Sequence, residues 1–137
     1  MDGELFDRAR AVRGRAYAGY SKVKVGVALR TASGEIHAGT NVENAAFPEG
    51  WCAETSAIAH MVGAAPPGRG RRIVEVTIVA TPIDGRLVSP CGGCRQRLAE
   101  FGTGATMVNL VDPSGKGSES WRLDTLLPAA FALEGKP

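Results

Sequence analysis

Leu5, Ala9, Val12 and Ala16 recur at spacings of three and four, with Arg8, Arg10, Arg13 and Arg15 largely on the other faces. That period predicts an amphipathic helix over residues 4–18, ending at the break Ala18-Gly19-Tyr20-Ser21. The period then changes. Val23 to Leu29 alternates early and is rich in β-branched residues, which predicts a strand. Thr31-Ala32-Ser33-Gly34 is turn chemistry, so Glu35 to Val42 is expected to pair back as the second arm of a hairpin. Residues 43–50 hold no period and read as a loop. Ala53, Ala57, Ile58 and Met61 form one stripe of a helix over 52–62, and the Gly/Pro-rich connector 63–70 cannot remain helical. Ile73 to Thr81 is the continuous apolar run of a buried strand. After a loop over 82–90, a helix over 91–101 is expected with Leu98 and Phe101 inward. A buried strand over 105–111, a turn at 112–115, a short edge strand over 120–123 and a last short helix over 124–127 complete the chain. The order α-β-β-α-β-α-β predicts an α/β fold: a three-layer α-β-α sandwich around a central mixed sheet of about five strands.

Bulk properties narrow the picture. A length of 137 residues suits one domain, 1–137, with a core of its own. A net charge of +2 is too small to argue for nucleic acid or a membrane surface as partner. No apolar stretch approaches the roughly 20 residues of a membrane helix, and the charged start Met1 to Arg8 has no apolar signal-peptide region. Three cysteines, an odd number, argue against a disulfide framework and for reduced thiols. The expectation is a soluble, cytoplasmic protein. Neither G-x-G-x-x-G nor a P-loop occurs, so no nucleotide cofactor is expected.

All three cysteines fall in two short motifs, Cys52-Ala53-Glu54 and Pro90-Cys91-Gly92-Gly93-Cys94. Cys91 and Cys94, three apart at a helix start, share a face and can grip one ion. The helix-end amides there favour thiolate over thiol. Three thiolates fill three corners of a tetrahedral zinc and leave the fourth to water, the pattern of a catalytic site rather than a closed structural one. Metal-activated water near neutral pH is then the expected nucleophile, a zinc-bound hydroxide, and Glu54 is its expected proton shuttle. Residues two apart on an ideal helix point to nearly opposite sides, so Cys52 and Glu54 both reach the metal only if it lies off the helix end. A structural zinc knuckle would need a fourth ligand. His37 lies far upstream in a strand, and His60 lies roughly 12 Å further along the same helix as Cys52. Both histidines are expected on the surface or in the core.

With Asn41-Val42-Glu43-Asn44-Ala45 added to these motifs and to Arg95-Gln96, the chain resembles the small homotetrameric cytidine deaminases, from Tyr20-Ser21 to Leu126-Leu127-Pro128-Ala129-Ala130-Phe131. The resemblance implies hydrolytic deamination of cytidine and deoxycytidine to uridine and deoxyuridine in pyrimidine salvage, with one zinc per subunit. It assigns Asn41 and Glu43 to the ribose hydroxyls, the Ala53 amide to the pyrimidine carbonyl, and Phe131 to a neighbouring subunit's site, where it would stack on the base. Two positions depart from the pattern. Val23 replaces an aromatic residue, which predicts weaker clamping of the base unless Phe47 or Trp51 fills the space. Thr55 replaces an arginine that offsets the thiolate charge, and Arg95 together with the helix-end amides is expected to supply that compensation. Rival readings are a deaminase of a modified cytosine (blasticidin-type), disfavoured by the Asn41–Glu43 pair, and a tRNA or DNA deaminase, disfavoured by a cysteine as first ligand. In another class stands a non-catalytic, zinc-stabilised binding module.

Overall fold

The computed structural model describes residues 2–135. Helix α1 spans Gly3–Arg13, and the Asp2 side chain accepts from the backbone N–H groups of Glu4 and Leu5 at its start. It ends five residues earlier than its apolar period suggests. Gly14 ends it, and the segment beyond is drawn elsewhere: the Tyr17 N–H donates to Asn41 O (3.1 Å) and Glu43 N–H to Tyr17 O (2.8 Å). Strand β1 (Val25–Thr31) and strand β2 (Ile36–Thr40) form the expected hairpin. Residues 23 and 24 stay outside β1 because the Asn41 side chain occupies Val23 O and Val25 N–H.

Helix α2 covers Ala53–Ala64 with Cys52 at its N-cap. Strand β3 (Ile73–Ala80), helix α3 (Gly92–Phe101), strand β4 (Met107–Val111), strand β5 (Ser118–Arg122) and the short helix α4 (Leu123–Leu126) follow, all within a few residues of their predicted spans. Thr106 is kept out of β4 because its hydroxyl accepts from Thr103 N–H and donates to Ile73 O.

The sheet runs β2-β1-β3-β4-β5, with β3 and β4 parallel and the other neighbours antiparallel. It is therefore mixed, and helices cover both faces. On one, Leu5 and Ala9 of α1 pack on Ala28, Val79 and Val111. On the other, Ala57 and Met61 of α2 and Leu98 of α3 pack on Val27, Leu29, Val76, Ile78, Val108 and Leu110. Each buried Val, Leu, Ile or Met among them contributes about 1.5–3 kcal/mol, and more of these lie in the core that anchors α2 and α3. The three-layer sandwich is as expected. Gly39 sets how closely α2 lies on β2: a Cβ there would stand 2.3 Å from the Ala57 backbone nitrogen.

A second tie between β2 and α2 is polar. His37, buried on β2, brings Nδ1 to 3.0 Å from Nδ1 of His60 on α2. One ring must donate and the other accept, which needs at least one neutral imidazole. Burial holds the His37 pKa below the ordinary 6.5; His60 and Arg8 push the same way, and Glu35 opposes them. The unfolded chain thus takes up this proton more readily than the folded one. Stability from the neutral His37 is complete above about pH 6.5 and is lost as pH falls through 6.5 toward the depressed folded value. Thermal midpoints of the parent and of His37→Leu, measured from pH 7.5 to 5.5 at one zinc concentration, should not run parallel: the parent should fall more steeply below pH 6.5. The cysteines titrate alike in both, so parallel curves would remove His37 as the cause.

Candidate active site

The N-termini of α2 and α3 converge at one end of the sheet and bring the two cysteine motifs together. Cys52 and Cys91 occupy the N-caps of α2 and α3, both in extended backbone, and Cys94 sits buried in the first turn of α3. The Cys52 and Cys91 sulfurs are 3.9 Å apart, and all three lie within 4.8 Å of one another. Zn–S bonds of about 2.3 Å in a tetrahedron require sulfurs about 3.8 Å apart, so the set fits zinc with little adjustment. Among the described residues, no fourth His, Cys, Asp or Glu joins the cluster. His37 and His60 pair with each other instead.

The conflict between Cys52 and Glu54 disappears because Cys52 is not a helical residue. Its φ of −78° and ψ of 160° turn it out of α2, while Glu54, in the first turn, is only 4 % exposed. Burial raises the Glu54 pKa; the Cys94 side chain as hydrogen-bond partner and the Arg97 charge pull it down without overcoming the burial. Burial likewise pushes up the thiols of Cys94 and Cys52. Cys91 goes the other way: burial opposes ionisation, but the Cys94 amide and the neighbouring thiols outweigh it. Burial of Cys52 and Cys94 and their neighbouring charges therefore oppose ionising all three sulfurs together, and a bound dication would offset that opposition.

Cys52, Ala53, Glu54 and Cys91 line a cleft of about 580 Å³. Asn41, Glu43, Tyr20, Ser21, Phe47 and Trp51 form other parts of its wall. Ala53 opens α2, so its N–H has no acceptor within the helix. The Asn41 and Glu43 side chains face the cleft while fastening its wall. Asn41 accepts from Val25 N–H (2.9 Å) and donates to Val23 O (2.8 Å). Glu43 accepts from the amides of Tyr20 and Ser21, at 3.0 Å each, and from the Ser21 hydroxyl. Val23 is not among the lining residues. Phe47 and Trp51 are, Phe47 meeting the Tyr20 ring edge-on at 6.2 Å and Trp51 held by Nε1–H donation to Ser56 Oγ at 2.7 Å.

Phe131 and Arg95 lie outside this chain's own cleft, as the expectation of a neighbouring subunit's site requires for Phe131. Phe131 is 69 % exposed on the tail outside the cleft, where its carbonyl accepts from Gln96 Nε2. Arg95 donates to Pro90 O (2.9 Å), Leu126 O (2.7 Å) and Ser89 Oγ (2.8 Å). It braces the turn before Cys91; among the described residues the guanidinium hydrogen-bonded to a sulfur is that of Arg97, with Nη1 3.6 Å from Cys94 Sγ. Sequence reasoning passed over Arg97, although its spacing of three from Cys94 places the two on one helix face.

Comparison with known proteins gives a consistent picture. The model of the cytidine and deoxycytidylate deaminase zinc-binding region matches residues 1–110. A cytidine deaminase of Sporosarcina psychrophila is 38 % identical over 135 residues, covering 98 % of this chain and 94 % of its own length. The crystal structure of cytidine deaminase from Burkholderia pseudomallei superposes with a TM-score of 0.83 at 33 % identity, over 96 % of this chain and 99 % of that one. The corresponding Mycobacterium tuberculosis structure gives 0.77 at 30 % identity, over 96 % and 97 %. With a fold shared along nearly its whole length and three cysteines gathered where a zinc would bind, this chain belongs to the cytidine and deoxycytidylate deaminase family.

Proposed function

We propose that the protein hydrolyses cytidine and deoxycytidine to uridine and deoxyuridine, with Cys52, Cys91 and Cys94 holding one zinc and Glu54 carrying the protons. The observation that supports this most directly is a three-sulfur cluster opening onto a cleft beside a buried carboxylate. Zinc bound there supplies the Lewis acidity that makes water nucleophilic near neutral pH. Overall, water's oxygen bonds to C4 of the pyrimidine, the C4–N bond breaks, and the exocyclic amine leaves as ammonia. Glu54 takes one proton from water and passes it to the ring nitrogen, then carries water's second proton to the departing amine. A carboxylate with a raised pKa suits a group that must both accept and give back a proton.

The free Ala53 N–H donates to the pyrimidine carbonyl. Asn41 and Glu43 keep hydrogen-bonding capacity after fastening the wall: a second N–H on Asn41 and an open lone pair on Glu43, which together suit a sugar diol. Phe47 and Trp51 offer apolar faces where Val23 offers none. Assembly as a homotetramer fits the exposed Phe131, which would reach a neighbouring subunit's cleft, and the exposed Phe47, Tyr20 and Trp51. Three thiols kept as metal ligands suit a reducing, cytoplasmic setting. Among the described residues no helix is long and apolar enough to cross a membrane.

The test is an ultraviolet assay with cytidine and deoxycytidine together with a zinc determination. One zinc per chain and conversion of both nucleosides are expected. Zinc without conversion would favour the binding module, and conversion of only modified cytosines would favour the blasticidin-type reading.

A further inference from the structure

The thiolate cluster is short of positive charge. A dication held by three thiolates would be one unit negative overall, and the buried Glu54 carboxylate beside it adds another; at Glu54 and the buried Cys94, salt screens this charge less than at the exposed Cys91. Thr55, the neighbour of Glu54, offers no charge, and its hydroxyl is buried without a hydrogen-bond partner. Arg95 directs three of its five N–H donors to two backbone carbonyls and Ser89, away from the sulfurs.

We propose that Arg97 is the counter-charge of this site, a positioning residue through which three cysteines retain zinc. Its guanidinium folds back along α3 and places Nη1 3.6 Å from Cys94 Sγ, within reach of an N–H···S hydrogen bond. The path runs over Gly93, where a Cβ would stand 3.1 Å from that same Nη1. A glycine at this position leaves the lane open. Arginine stays protonated at every relevant pH, so the charge it brings is permanent. The hydrogen bond also fixes the direction of the Cys94 sulfur, as partners of metal ligands do.

This inference rests on the three cysteines being the ligands, and the experiment keeps the two ideas apart. Zinc-loaded parent, Arg97→Lys and Arg97→Gln are mixed with excess chromogenic chelator at one pH, and the rate and extent of zinc transfer are read. Glutamine keeps an N–H donor and loses the charge; lysine keeps the charge. Loss of a partner of a metal ligand commonly weakens binding 10–100-fold, so Arg97→Gln should bind zinc about tenfold or more weaker. Arg97→Lys should lie much nearer the parent. Retention by Arg97→Gln within twofold of the parent, or equal losses in both variants, would overturn the counter-charge. A parent that holds no zinc would overturn the three-cysteine site itself.

Discussion

Glu54→Gln should lower kcat by about 10²–10⁴ while leaving one zinc per chain and a thermal midpoint no lower than the parent's. The substitution keeps the shape of the side chain and removes its ability to take a proton. Glu54 is not one of the three clustered ligands, so the metal has no reason to leave. The side chain is nearly fully buried, and the cost of burying its charge is what raises its pKa. A neutral amide does not carry that cost, which is why stability should hold or rise. The combination matters more than the rate alone. A residue that only braced the end of α2 would, once replaced, lose zinc and thermal stability along with activity. Turnover, zinc content and melting temperature measured on one preparation separate these outcomes. Full activity in Glu54→Gln would end the proton-shuttle reading.

The parts of this molecule that sequence made legible are those decided by local chemistry. The run Ile73–Ala80 is apolar because both its faces are covered, and β3 is indeed the central strand. The cysteine motifs were readable because few other groups serve a tetrahedral metal, and Cys-x-x-Cys at a helix start constrains geometry by itself. Element ends were less readable because distant partners decide them. Helix α1 stops at Arg13 since Tyr17 bonds to the segment after β2, and β1 starts late since Asn41 occupies Val23 and Val25. No local pattern contains those partners. The different placements of Arg95 and Arg97 have in part the same root. The spacing of three puts Arg97 on the Cys94 face, but that it crosses Gly93 to the sulfur while Arg95 braces residues 89–90 is decided by partners outside the helix's own pattern.

Glu43→Gln should raise KM for cytidine by about tenfold or more, the scale of losing a hydrogen bond to a charged group, with a smaller change in kcat. Gln retains an oxygen that can accept from the Tyr20 and Ser21 amides, so the cleft wall should stay in place. What is lost is the second carboxylate oxygen, which accepts from the Ser21 hydroxyl and has a lone pair to spare. Those same donors, the Ser21 hydroxyl first, hold the Glu43 carboxyl below the usual range. It is therefore charged at every pH where the enzyme would work, and the effect on KM should not vary between pH 6 and 8. Comparing cytidine with 2′,3′-dideoxycytidine isolates the sugar contact. The parent should prefer cytidine, and Glu43→Gln should narrow that preference because the hydroxyls no longer meet a carboxylate. An unchanged ratio of kcat/KM between the two nucleosides would leave Glu43 as a fastener of residues 20 and 21 and would move ribose recognition elsewhere in the cleft.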